Sequence, residues 1–247
     1  MPAYNDEALV LRTAKLGEAD RIITLLTKNH GKVRAVAKGI RREKSRFGAR
    51  LEPFMRDNLQ LYQGKSSLQV VSQAVCTAPY ATAIASDYEA YQAANLMVET
   101  ADKLIADDGD ALPGQYNLLL SAIHALATHQ HPAWQISYSY VLRALAEAGW
   151  RASVSTCVVC SRNSNQCDLA FFSIPDGGCV CADDQSPASV PISAEQLSQL
   201  RALSLGDWAQ LKPQPMKPVL QIVENWAQYY LEQSLHSANL LHSSYEH

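Results

Sequence analysis

Arg21-Ile-Ile-Thr-Leu-Leu-Thr-Lys-Asn-His-Gly-Lys-Val-Arg-Ala-Val-Ala-Lys38 is the stretch whose reading decides the fold. Arg21–Leu26 is a nearly continuous apolar run rich in isoleucine and reads as a strand. Asn29-His30-Gly31 is a turn signal. Beyond it the residues alternate, with Lys32, Arg34, Val36 and Lys38 on one face and Val33, Ala35 and Ala37 on the other. This strand is apolar behind and cationic in front. Upstream, Leu9 and Leu11 share one face of an earlier strand and Val10 and Arg12 the other. Downstream, residues 58–62 and 67–71 predict a fourth and fifth strand around Gly64-Lys65. Five strands within the first 80 residues point to a small closed barrel, for which the OB-fold is the commonest candidate. Barrels of that kind often bind single-stranded nucleic acid on one face.

The charge pattern singles out the same region. Residues 28–56 carry ten Lys/Arg against two acids, Glu43 and Glu52, although the 247-residue chain has a net charge of −3. Residues 1–80 hold 14 Lys/Arg and 7 Asp/Glu, whereas residues 81–247 hold 7 and 17. A local cationic field in an acidic chain attracts a polyanion, and nucleic acid is the commonest one in a cytosol. The asymmetry predicts two modules with different partners. No apolar run approaches the roughly 20 residues that span a bilayer, and Met1–Glu7 lacks the pattern of a secretory signal. A cytoplasmic protein is expected.

After Pro79 the periodicity becomes helical. Ser86 and Glu89 read as a capping box opening a helix to about Ala106. Asp107–Asp110 reads as an acidic loop. Pro113 stands near the start of a second helix ending near Thr128, and Pro132 opens a third that Gly149 closes. Trp134, Tyr138, Val141, Leu142 and Leu145 share a face of that third helix. Ser193 and Gln196 form another capping box. A last helix places Val219, Ile222, Val223, Trp226 and Tyr230 on one face, and the tail from Ser237 is expected to fray. The expected architecture is α+β: an OB-fold DNA-binding domain over residues 1–80, then a helical domain over 81–247 with a cysteine-rich, zinc-ribbon-like insertion over 151–191.

Five of the six cysteines fall in that insertion. Cys157-Val-Val-Cys160 is a knuckle whose two thiolates can converge on one ion. Eighteen residues then separate Cys160 from Cys179, close to the spacing of a structural zinc site. The second pair, Cys179-Val-Cys181, is one residue short, and Asp184 follows three residues beyond Cys181. The residues leave two ligand sets open: Cys157, Cys160, Cys179 and Cys181, or Cys157, Cys160, Cys181 and Asp184. Tetrahedral zinc accepts either. Cys167 reads as a spare thiol and Cys76 as a small buried apolar residue. A catalytic zinc needs an open position and a general base, but no His-x-Glu occurs in the chain. His124, His129 and His131 cluster around a helix connection and read as solvated. Neither a phosphate-binding Gly-x-x-x-x-Gly-Lys-[Ser/Thr] loop nor a Gly-x-Ser-x-Gly elbow occurs, so no enzyme is expected.

Gly39-Ile-Arg-Arg-Glu-Lys-Ser-Arg-Phe-Gly48 links the third and fourth strands. Its arginines can pair bidentately with phosphate and stack on bases. With the strand face, it nominates Arg12, Arg21, Lys32, Arg34, Lys38, Arg41, Arg42, Lys44 and Arg46 as DNA contacts, with Phe47 stacking on a base.

In these residues the chain resembles the RecO family of bacterial DNA repair and recombination proteins. The resemblance rests on Ala8-Leu-Val-Leu-Arg12, Gly17-Glu-Ala-Asp-Arg21, Thr24-Leu-Leu-Thr27 and His30-Gly31-Lys32. Above all it rests on Ala37-Lys-Gly-Ile-Arg-Arg-Glu-Lys-Ser-Arg-Phe-Gly48 with Leu51-Glu-Pro-Phe54. It continues through the helices to Cys157-Val-Val-Cys160 and Gly177-Gly178. It implies an N-terminal OB domain, a helical domain and, in many members, a zinc-binding insertion. It also implies binding of single- and double-stranded DNA and annealing of complementary strands. The implied partners are the C-terminal tail of the single-strand-binding protein, RecR and, indirectly, RecA. The family tends to show Gly-Gly-x-x-Cys-x-x-Cys, which would put Cys181 in the third ligand position and Asp184 in the fourth. Two other classes compete: a zinc-ribbon regulator that binds nucleic acid without annealing, and a metal-dependent hydrolase.

Overall fold

The computed structural model describes residues 3–64, 68–107 and 109–238. Lys65 of the expected turn, Ser67 at the head of the expected fifth strand, Asp108 of the acidic loop and the tail beyond residue 238 lie outside them. The chain divides into two compact units, one ending at Gln130 and the other beginning at His131.

In the first unit, β1 (Tyr4–Leu16), β2 (Asp20–Thr27), β3 (Lys32–Ala37), β4 (Arg56–Gln63) and β5 (Gln69–Ala78) close a barrel in the order β1-β2-β3-β5-β4. All pairings are antiparallel except β3 with β5, where Ala35 faces Gln69 and Val36 faces Val70. Closure removes the unpaired edges that an open five-stranded sheet would expose. This is the expected OB-like architecture. Ala8, Val10, Ile23, Leu25, Leu59, Leu61 and Val71 point into the barrel. β1 departs from strict alternation. A bulge between Val10 and Arg12 shifts its register against β2, and Ala8 through Leu11 are all buried. Both sides of β1 are covered because a helix packs on its outer face.

That helix is α2. A short α1 (Tyr80–Ala85), not expected from the sequence, precedes α2 (Tyr88–Leu104) and α3 (Pro113–Ala127). The Ser86 capping box does not form. Asp87 is the cap, its carboxylate accepting the Ala90 N–H at 3.1 Å, while the Ser86 hydroxyl donates to the Ala83 carbonyl. A carboxylate brings negative charge to the positive end of the helix, which a hydroxyl cannot. Gly31, at φ +64°, turns between β2 and β3; a Cβ there would meet the Asp110 carbonyl at 2.5 Å.

In the second unit α4 (Ala133–Glu147) is buried along nearly its whole length and packs against α5 (Ala194–Leu205) and α6 (Lys217–Leu231). The Ser193–Gln196 capping box forms in full. Between α4 and α5 a small antiparallel sheet takes the order β7 (Gly178–Val180), β6 (Phe171–Ser173), β8 (Ser189–Pro191). Trp226 of α6 fixes this insertion, with its ring edge-on to Phe172 and its indole N–H donating to the Trp150 carbonyl at 3.3 Å.

Candidate nucleic-acid interface and metal centre

The segment between β3 and β4 is a chain of tight turns. Backbone bonds run from Arg42 N–H to the Gly39 carbonyl, from Ser45 to Arg42, from Arg50 to Phe47 and from Met55 to Glu52. Its base is tied to the β1–β2 turn. The Gly39 N–H donates to the Asp20 carboxylate at 2.7 Å, the Arg41 N–H to the Ala19 carbonyl at 3.0 Å, and the Arg41 guanidinium to the Gly17 carbonyl at 3.1 Å. Ile40, Phe47, Leu51 and Met55 turn inward and join the barrel core. Lys38, Arg41, Arg42, Lys44, Arg46 and Arg50 remain exposed. Among the described residues none of these six forms an ion pair. The loop is thus anchored by apolar side chains while its cations face solvent. The anchoring removes much of the ordering cost a ligand would otherwise meet.

The strand cations are placed differently. Arg12 pairs with Asp102 of α2 at 2.5 Å, and Lys32 with Asp102 at 3.2 Å and Asp107 at 2.8 Å. Arg34 lies 3.9 Å from Asp107, and Arg21 pairs with Glu52 at 2.6 Å. Lys32 is only 6% exposed. The cationic strand front expected from the sequence is therefore largely taken up within this unit, where it fastens α2 to the barrel. Phe47 also departs from expectation. It is 1% exposed within the barrel core, so its ring is a structural plug and not an exposed stacking platform. Desolvating an aromatic ring favours the core over a surface loop. The Arg46 guanidinium covers it, 4.8 Å from the ring centroid. Arg50, which the loop spacing does not nominate, belongs by its charge to the same cationic run.

The insertion gathers Cys157, Cys160, Cys181 and Asp184, whose ligand atoms all lie within 4.8 Å of one another. Cys179 is not among them. Gly178, at φ +153°, lies so close to the Ser153 backbone that no Cβ would fit, and the Cys179 N–H then donates to the Ser153 carbonyl at 2.7 Å. This seats Cys179 in the sheet, fully buried, and burial pushes its thiol up to about 12. Cys181 lies beyond the strand end, its N–H directed at the Cys157 sulfur at 3.4 Å. Burial would raise the Cys157 thiol, but the backbone amides of Cys160, Cys181 and Val159 outweigh it and hold the thiol below its usual range. Hydrogen bonds from Cys160 and Cys181 hold the Asp184 carboxyl low. An ion with sulfur at about 2.3 Å in tetrahedral geometry spaces its sulfurs about 3.8 Å apart. Cys160 Sγ and Cys181 Sγ are 3.8 Å apart, and Cys157 Sγ is 3.5 Å from Asp184 Oδ2. Donor chemistry and spacing both fit a metal ion. The Arg162 guanidinium lies 3.2 Å from Cys160 Sγ and 3.5 Å from Cys181 Sγ, where it offsets negative charge.

Comparison with known proteins covers nearly all of the chain. Residues 1–80 match the family described as Recombination protein O N terminal, and residues 85–239 match Recombination protein O C terminal. A relative from Bifidobacterium adolescentis named DNA repair protein RecO is 53% identical over 246 residues, covering 98% of this chain and 100% of the relative. One of the same name from Bifidobacterium longum is 51% identical over 244 residues, covering 98% and 100%. Another, from Nocardioides, is 41% identical over 237 residues, covering 95% and 97%.

Proposed function

The chain belongs to the recombination protein O family, and from that premise we propose that it is a mediator of DNA repair and homologous recombination. In this reading it binds single- and double-stranded DNA, anneals complementary strands and, with RecR, helps RecA load on DNA coated by the single-strand-binding protein. It neutralises phosphate charge and catalyses no bond change. The observation that carries the reading is the anchored loop with six exposed cations, none of which forms an ion pair among the described residues. We place the DNA site there: Lys38, Arg41, Arg42, Lys44, Arg46 and Arg50 contact phosphate, while Arg12, Arg21, Lys32 and Arg34 hold the scaffold.

If about five phosphates are neutralised, log affinity for a single strand falls with log salt at a slope near −3.5. Replacing Arg41, Arg42, Lys44 and Arg46 together with Ala should flatten that slope by about 0.7 for each phosphate no longer neutralised. An unchanged slope would refute the assignment.

The metal in this reading is a structural zinc held by Cys157, Cys160, Cys181 and Asp184. It would tie the knuckle to the end of β7 and supply folding energy to the insertion. For the acidic tail of the single-strand-binding protein, Lys103 and Arg143 are the cations within residues 81–150. Lys103 is engaged by Glu99 at 2.7 Å, which leaves the exposed Arg143 as the residue to test by pull-down with a tail peptide.

A further inference from the structure

Beside the arginine loop runs a groove of about 430 Å³, bounded on one side by Arg46 and Arg50 and on the other by Ser72, Gln73, Ala74 and Val75 of β5. Both guanidiniums are held at the rim. Arg50 donates to the Arg46 carbonyl at 2.9 Å, and Arg46 lies over the Phe47 ring. Across from them Val75 is 60% exposed, and it stands opposite Asn58 in the register. One wall is therefore cationic, and the other presents the exposed Val75 side chain beside the Gln73 amide, which offers both donor and acceptor.

We propose that this groove holds one nucleotide of a single DNA strand, its phosphate between Arg46 and Arg50 and its base against Val75, whose side chain shares the outward face of β5 with Gln73 while Ala74 turns into the core. The proposal rests on the reading of the loop as the DNA site and goes beyond it by naming a base contact. Three points support it. The volume lies in the range of small-ligand sites. Phosphate beside an apolar base is the chemistry that two guanidiniums beside a valine complement. Only an unpaired strand can lay a base face on a wall, because a duplex keeps its bases stacked inside. The barrel's other cationic face is closed by Asp102 and Asp107, which moves the contact toward β5. The Val75 side chain reads no hydrogen-bond pattern, so its contact tolerates any base.

The test uses the full-length protein with oligothymidylate and with a duplex of equal length. Val75→Gln should weaken oligothymidylate binding about fivefold, as expected for the loss of a small apolar contact, leave duplex binding little changed and leave the salt slope unaltered. Arg50→Ala should lower the single-strand slope by about 0.7. Photocrosslinking with 5-iodouracil in the oligonucleotide should label residues within 68–78. Parental single-strand affinity in Val75→Gln, or crosslinks confined to β1–β3, overturns the groove. If the loop substitutions still flatten the salt slope in that case, the loop stands as the DNA site and only the groove falls. If neither responds, both fall.

Discussion

Asp57 is the side chain least at ease in the barrel. It sits on the inward face of β4, fully buried, and neither carboxylate oxygen has a hydrogen-bond partner among the described residues. Burial pushes its carboxyl up to about 7, and the Arg50 charge only partly opposes this. The sign follows from linkage. In the unfolded chain the group ionises near its ordinary value of 3.8, so the folded state binds the extra proton between that pH and about 7. Stability is fully present below pH 4 and is lost as pH rises through 7. Asp57→Asn abolishes the titration. Urea unfolding should show the variant more stable than the parent at pH 8 by roughly 2–4 kcal/mol, with the difference shrinking toward pH 4. A difference that does not vary with pH would show that Asp57 finds a partner for its charge. Its register neighbour Cys76 is half-buried and packs against the barrel core, close to the small apolar role read from the sequence.

At the scale of elements, the insertion shows where local spacing stops being informative. Cys-x-x-Cys is visible as a knuckle because its two ligands belong to one turn. The second half is not, since spacing makes Cys179 and Asp184 equally plausible partners for Cys181. What separates them is the pairing of β7 with β6 and the close approach of Gly178 to Ser153, neither of which any short window of sequence contains. The consequence is testable by metal content. Purified protein should carry about one zinc per chain. Cys181→Ser and Asp184→Ala should lose it, whereas Cys179→Ser should keep it. Retention by Asp184→Ala with loss by Cys179→Ser would restore the all-cysteine set. The Ser86 cap teaches a related lesson: two overlapping capping signals stand one residue apart, and the carboxylate of Asp87 wins.

For the whole molecule the charge asymmetry takes on a different meaning. Residues 1–130, the first compact unit, hold 15 Lys/Arg and 14 Asp/Glu. The excess cations of the barrel are thus balanced largely within their own unit, by helices that follow in sequence. Arg12 and Lys32 both meet Asp102, which makes that one carboxylate a control point. Asp102→Ala leaves the 6%-exposed Lys32 with Asp107 and the backbone carbonyl of residue 102, one carboxylate fewer than in the parent. We expect a destabilisation of about 2–3 kcal/mol in urea unfolding. We also expect a steeper salt dependence of DNA binding as Arg12 becomes free, by about 0.7 for one more phosphate neutralised. An unaltered slope with lowered stability would confine the strand cations to scaffolding.

Much of the barrel was legible in the residues alone. Alternation, the Asn29-His30-Gly31 turn and the segregated charge are short-range signals, and backbone geometry converts them into strands and a basic loop with little help from elsewhere. The family resemblance lies in the same stretch. What those signals could not say was which cations stay free. Arg12 and Lys32 look like Arg41 and Arg42 in sequence, but their partners lie 70 to 90 residues away and are brought to them only when α2 packs on β1. Phe47 carries no local mark of burial either. Its fate was settled when the closed barrel offered a core that the ring could join, because removing apolar surface from water is a property of the assembled fold and not of any one segment.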